Sequence, residues 1–213
     1  MKRIKTLGLL ALAVMALAAV FGTASASAAK FTSTGGVQKL TTSKNVQHVF
    51  TVTGSEVKCN KVTFTGETTG TEATSQRVTP KYEECTAFGL PATVTNLGCD
   101  ILLTTATDAN GHAEAHLVPQ PGFVCEGFTI LAKNIFGECH VEVTEQTVGG
   151  IHYTNVGTPP NESLIVDITA SNLTDHVTKS TGVCPLSVGT HTNASYNGSE
   201  NVAGASSGIQ WDA

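Results

Sequence analysis

Apolar and polar residues alternate with a period of two in short runs along most of this chain. HVFTVTG (48–54), KVTFTG (61–66) and PATVTN (91–96) show the pattern, as do CDILLTT (99–105), HVEVTE (140–145) and SLIVDITAS (163–171). Successive strand side chains point to opposite faces, so each run reads as a strand with one buried and one wet face. Val and Thr recur in these runs, and β-branched side chains suit a pleated, half-buried surface. Gly, Asn and Pro punctuate the runs at the spacing of about 8–12 residues typical of all-β domains. After residue 30 no stretch keeps a helical apolar period over three turns. The pattern predicts an all-β fold, an antiparallel β-sandwich of about ten strands.

The beginning of the chain differs. Lys2, Arg3 and Lys5 precede an apolar run over residues 7–21, and Ala24-Ser25-Ala26 and Ala26-Ser27-Ala28 both fit a small-residue cleavage signal. The apolar run is shorter than the roughly 20 residues a membrane span needs. Residues 1–29 therefore read as a secretory signal peptide, 30–47 as a polar Thr/Ser-rich N-terminal arm, and 48–213 as a single domain. The expected location is outside the cell, with no membrane insertion once the signal is removed.

Loss of the signal changes the charge balance. The 12 basic residues fall to nine against 17 acids, a net charge near −8, and no Lys/Arg cluster remains. A dispersed negative charge makes nucleic acid and anionic membrane surfaces poor partners.

Cys59, Cys85, Cys99, Cys125, Cys139 and Cys184 carry the longest-range pattern. Cys59, Cys99 and Cys139 are spaced by 40, as are Cys85 and Cys125. The same step aligns Gly70, Asn110 and Gly150, and also Phe88 and Phe128. Three stapled hairpin units follow from this reading, the third lengthened before Cys184, with bridges 59–85, 99–125 and 139–184. An even cysteine count in an exported chain implies disulfides, and no C-x-x-C suggests a metal instead. One feature opposes the repeat. Val62 and Phe64 follow Cys59 at odd offsets while Val141 and Val143 follow Cys139 at even ones, a mismatch that a β-bulge reconciles.

Candidate chemistry is sparse. In GHAEAH (111–116), His112, Glu114 and His116 share one strand face and could hold Zn²⁺ or Cu²⁺. Asn110-Gly111 is a hairpin turn signal that puts that face in water, with Ala113, Ala115 and Leu117 inward. Asp108-Ala109-Asn110-Gly111 has its Gly too early for a calcium loop. Gly204-Ala205-Ser206-Ser207-Gly208 matches G-x-S-x-G, but no acid and His follow it in chain order. Glu83 and Glu84, as strand neighbours, are expected on opposite faces. Trp211 reads as a packing anchor of the last strand rather than a sugar platform. No metal or cofactor is expected, and the catalytic set is empty.

The spaced cysteines, YEECTAFG (82–89) and TNASYNGS (192–199) resemble the Thr/Gly-rich secreted β proteins of actinobacteria. That resemblance implies the compartment and the β fold and transfers no functional residue. The expected function is a secreted, non-catalytic binding or structural module of the envelope or medium, with polysaccharide or protein as the partner class. Two alternatives stand beside it. One is a secreted polysaccharide hydrolase using carboxylates assembled by the fold. The other is a protease-inhibitor-like protein presenting the loop Thr158-Pro159-Pro160-Asn161. Two buried or cleft-facing carboxylates, or a His–carboxylate pair in a deep pocket, would overturn the non-catalytic reading. The mature chain should begin between Ser27 and Lys30. Intact mass of the exported protein tests this, and retention of Met1 would contradict it.

Overall fold

The computed structural model describes residues 29–42, 46–105 and 111–212, so residues 1–28 of the expected signal peptide lie outside the described residues. Fifteen strands and no helix occur among the described residues. In chain order they begin with β1 (Lys30–Ser33), β2 (Lys39–Thr42), β3 (His48–Val52), β4 (Ser55–Glu67) and β5 (Glu72–Ala73). Next come β6 (Ser75–Ala87), β7 (Leu90–Leu97), β8 (Cys99–Thr104), β9 (His112–Pro119) and β10 (Gly127–Asn134). The last five are β11 (Gly137–Val143), β12 (Thr147–Val156), β13 (Ser163–Ser180), β14 (Gly189–Gly204) and β15 (Ile209–Asp212).

All pairings are antiparallel, and the ladder closes on itself twice. One circuit runs β2–β4–β6–β8–β9–β12–β13–β14 and returns to β2. The other runs β3–β4–β6–β7–β10–β11–β13–β14 and returns to β3. Each is a ring of eight strands, and the rings share the four long strands β4, β6, β13 and β14. The all-β class is as expected, but the sandwich is replaced by a two-tier barrel and the strands outnumber ten. Closure removes the unpaired edges that a sandwich would have to protect.

The long strands explain both differences. Each breaks its alternation at two successive surface residues, beyond which buried positions resume. The pairs are Asn60-Lys61 in β4, Glu83-Glu84 in β6, Ser171-Asn172 in β13 and Thr192-Asn193 in β14. Before the β4 break Val57 and Cys59 are buried, and after it Val62 and Phe64 are. Glu84 and Asn172 take left-handed backbone angles, φ 54° and 57°, at two of these breaks. A break of this kind restores the apolar face to the interior after the strand bends. It also resolves the parity mismatch between the segments after Cys59 and Cys139. Each long strand therefore looks, in sequence, like two short strands of opposite parity. Glu83 and Glu84 consequently stay together at the surface, not on opposite faces.

The 30–47 segment is not a free arm. Phe31 and Leu40 are buried, and β1, β5 and β15 form a small sheet over the β12–β14 end of the barrel. Buried Gln38 ties this cap together. Its Nε2 donates to Ser33 Oγ at 2.7 Å, and its Oε1 accepts from Ser206 N at 3.2 Å and Ser207 N at 3.0 Å. Its own N–H donates to Thr68 Oγ1 at 2.8 Å. A composition rich in Thr and Ser suggested solvation, but here these hydroxyls satisfy a buried polar knot.

The disulfides are Cys59–Cys85, Cys99–Cys125 and Cys139–Cys184, the pairing expected from the period of 40. The three-unit repeat behind that expectation does not extend to the fold. Phe88 lies in the β6–β7 turn with φ 57°, whereas its aligned partner Phe128 is buried within β10. β11 pairs with β13 and not with the following strand, so the third bridge staples no simple hairpin. Asn110 lies outside the described residues.

Replacing Gln38 by Ala would orphan two backbone donors and one hydroxyl in the cap. Gln38→Ala should cost about 3 kcal/mol in urea unfolding, whereas Ser206→Ala, which leaves the knot standing, should cost less than about 1 kcal/mol. Equal losses would show that the knot is not centred on Gln38.

Candidate functional site: an apolar cavity with a polar wall

A ring of eight strands leaves an interior just wide enough to be filled by side chains or to hold one small ligand. This barrel is not filled. An apolar cavity of about 120 Å³ lies inside it, walled by Phe50, Phe64, Val94, Ile101, Val148 and their neighbours. Inward positions are apolar and outward ones polar, as in β9, where Ala113, Ala115 and Leu117 are buried and His112 and Glu114 exposed.

The cavity reaches toward one flank. β9 pairs with β8 and β12, while β10 pairs with β7 and β11, so a seam separates the tiers between β9 and β10. Half-buried His116 on β9 and Gln146 between β11 and β12 both contribute to the cavity wall beside this seam. Gln146 is fixed there, since its Nε2 donates to Thr174 O at 2.9 Å and its Oε1 accepts from Thr174 N at 2.9 Å.

Against the apolar wall stands one hydrogen-bonded chain. His48 Nε2 lies 2.9 Å from Glu200 Oε1, and both side chains are fully buried. His48 Nδ1 lies 2.5 Å from Tyr196 Oη, which in turn lies 3.2 Å from Tyr82 Oη. His48, Tyr196 and Tyr82 line the cavity, and Glu200 anchors the chain behind them. Glu200 Oε2 has no hydrogen-bond partner among the described residues. The β3–β14 register, with Val49 opposite Asn197, puts His48 across from Gly198. A Cβ at Gly198 would fall 2.2 Å from His48 Nδ1, so glycine is what lets the imidazole lie there.

Tyr82 and Tyr196 sit deep in the protein yet keep accessible surface, because that surface faces the cavity. Burial pushes the Tyr82 phenol up to about 12. Burial likewise holds the Tyr196 phenol well above its ordinary range, helped by the neighbouring Tyr82 and Glu200. Both therefore remain O–H donors at neutral pH.

Of the candidate metal-ligating and catalytic residues singled out from sequence, His116 alone borders the cavity, and the others lie elsewhere. His112 stands beside His152, ring centroids 5.5 Å apart, on the outer face, and His116 Nδ1 lies 3.1 Å from Thr147 Oγ1. Among the described residues no group of three His, Cys, Asp or Glu is placed to hold a metal ion. Residues 108–110 of the calcium-like stretch lie outside the described residues. Ser206 Oγ meets the carbonyl of Gln38 at 3.2 Å. Glu83 is held by Lys61 and Lys81, each at 2.9 Å, which lower its carboxyl below the usual range. Trp211 packs near Tyr153 in the cap, with ring centroids 6.4 Å apart.

Two His–carboxylate pairs escaped the sequence reading. The second joins His191 Nδ1 to Asp175 Oδ2 at 3.3 Å, with Ser187 Oγ 3.3 Å from His191 Nε2. Both contacts are longer than the roughly 2.6–3.2 Å expected of an activated nucleophile, and burial raises the Asp175 carboxyl, which weakens it as an anion. The signal for the first pair was parity. His48 alternates with Phe50 and Val52, and Glu200 with Val202, so each occupies the apolar face of its run.

The chain has three tyrosines, and Tyr153 is also raised by burial. A phenol whose pKa is raised on folding contributes stability present below pH 10 and lost as pH climbs through its folded value. Absorbance titration should therefore show no tyrosine ionising near pH 10 in the folded protein, with stability falling between pH 10 and about 12, the value for Tyr82. All three should ionise near pH 10 in denaturant. A native titration near pH 10 would contradict the buried placement.

The described residues contain no helix long and apolar enough to cross a membrane. Comparison of the chain with protein-family models, with curated proteins and with solved structures finds no match.

Proposed function

We propose that this is an exported binding protein that carries a small apolar molecule inside its barrel; the buried His48–Glu200 pair at the cavity wall is the arrangement that counts against a non-catalytic module. The observation that carries the reading is the cavity of about 120 Å³ lined by strands of both closed eight-stranded rings. An engineered apolar cavity of about 150 Å³ stays dry and admits benzene. The occupant is accordingly a single ring or a short chain, on the order of six or seven heavy atoms.

Energetics favour binding over a purely structural role. An unfilled void of this size costs on the order of 3 kcal/mol, at about 24 cal/mol per Å³. A module selected only for rigidity would gain by filling it. Apolar-in, polar-out strands are the reverse of the lipid-facing pattern of membrane barrels. The three disulfides suit an oxidising compartment, which together with the basic-apolar-small order of residues 1–28 supports export.

The alternatives draw less support. A hydrolase needs a carboxylate free to act on substrate, whereas Glu200 Oε1 is engaged by His48 and Tyr196 remains a neutral phenol. The 158–161 segment is exposed but closes as a tight turn, with Asn161 N donating to Thr158 O at 2.9 Å. A protease inhibitor presents an extended segment instead.

Benzene should bind with a Kd below about 1 mM, equivalent to about −4 kcal/mol, and raise the thermal midpoint. Ala115 lines the cavity, so Ala115→Leu should fill it, stabilise the protein and abolish benzene binding. Absence of any benzene-dependent shift, or unchanged binding in Ala115→Leu, would overturn the reading.

A further inference from the structure

We infer that the occupant carries a hydroxyl or N–H donor, and that the barrel reads it through the lone pairs of Tyr82 Oη. This rests on the carrier reading and goes beyond it, because an apolar cavity alone selects for size and not for a functional group.

The argument follows the direction of each hydrogen bond. An ionised carboxylate is an acceptor only, and a neutral imidazole has one donor and one acceptor nitrogen. On this reading the one imidazole hydrogen sits on Nε2 and is donated to Glu200 Oε1 over 2.9 Å. Nδ1 is then an acceptor, so Tyr196 must donate its O–H across the 2.5 Å contact. Having spent its hydrogen there, Tyr196 Oη accepts from Tyr82 O–H at 3.2 Å. Tyr82 has no hydrogen left to give. Only its lone pairs remain for the cavity that its ring lines.

The chain is held in this order by its surroundings. Glu200 and His48 are almost fully buried, and Gly198 leaves the space in which the imidazole lies. Burial keeps both phenols protonated, so neither tyrosine can break the sequence by ionising. A ketone or ether would face lone pairs with lone pairs, whereas an alcohol would complete the chain. Leaving a buried polar group of the ligand unpaired is the larger penalty, so the discrimination falls chiefly on the ketone.

Three six-heavy-atom rings separate size from polarity: cyclopentanol, cyclopentanone and methylcyclopentane. Titrations at pH 8 should show cyclopentanol binding about fivefold to tenfold more tightly than cyclopentanone. Tyr196→Phe removes the acceptor that occupies the Tyr82 hydrogen and frees it to donate. In that variant the alcohol-to-ketone ratio should fall to about one while methylcyclopentane still binds, which also reports that the barrel is folded. Equal affinities in the unmodified protein, or tighter ketone binding, would overturn the inference. So would an alcohol preference that survives in Tyr196→Phe. Failure of methylcyclopentane to bind the unmodified protein would overturn the carrier reading itself.

Discussion

A strand that runs the length of a barrel must keep its apolar face inward while the barrel bends and its neighbours change. Strict alternation cannot satisfy both demands over the 18 residues of β13 or the 16 of β14. Here the conflict is met by a break within each long strand, at Asn60-Lys61, Glu83-Glu84, Ser171-Asn172 and Thr192-Asn193. Each break adds a polar surface residue and restores the inward face beyond it. With the breaks in place, shorter strands can substitute for one another around the ring, β7 for β8 on β6 and β11 for β12 on β13. The two tiers, the seam between them and the cavity all follow from that arrangement.

The same geometry brings the polar chain together. β14 carries Tyr196, Gly198 and Glu200 on one face, and only the strand beside it, β3, can present His48 against them. Tyr82 comes from β6, across the barrel, immediately before the break at Glu83-Glu84. A buried carboxylate and imidazole are costly unless paired and hydrogen-bonded. Their cost is offset by placing every polar atom of the pair but Glu200 Oε2 in the chain, while most of the remaining wall is apolar.

Much of this was legible in the chain and some was not. The alternation of GHAEAH gave the inward set Ala113, Ala115 and Leu117 correctly, because a half-wet strand beside a turn has nothing to override its period. The bridge pairing was legible from spacing, although the repeat that suggested it has no counterpart in β11 and β13. Closure was hidden because the breaks divide each long strand into runs that look like separate short ones. Composition misled at Gln38 and its neighbours, where Thr and Ser serve a buried knot rather than solvent. The polar wall was visible only as His48 and Glu200 occupying apolar parity, a signal that alternation counts treat as noise.

The cap has a bearing on how the chain comes to be assembled. β1 pairs with β15, Lys30 opposite Asp212, and Thr32 Oγ1 donates to Asp212 Oδ2 across 180 residues of sequence. Contacts of such separation form slowly, since loop closure precedes any gain from pairing. The cap over the β12–β14 end of the barrel is therefore among the last parts of the fold to form, and the barrel beneath it closes through its own shorter-range pairings first.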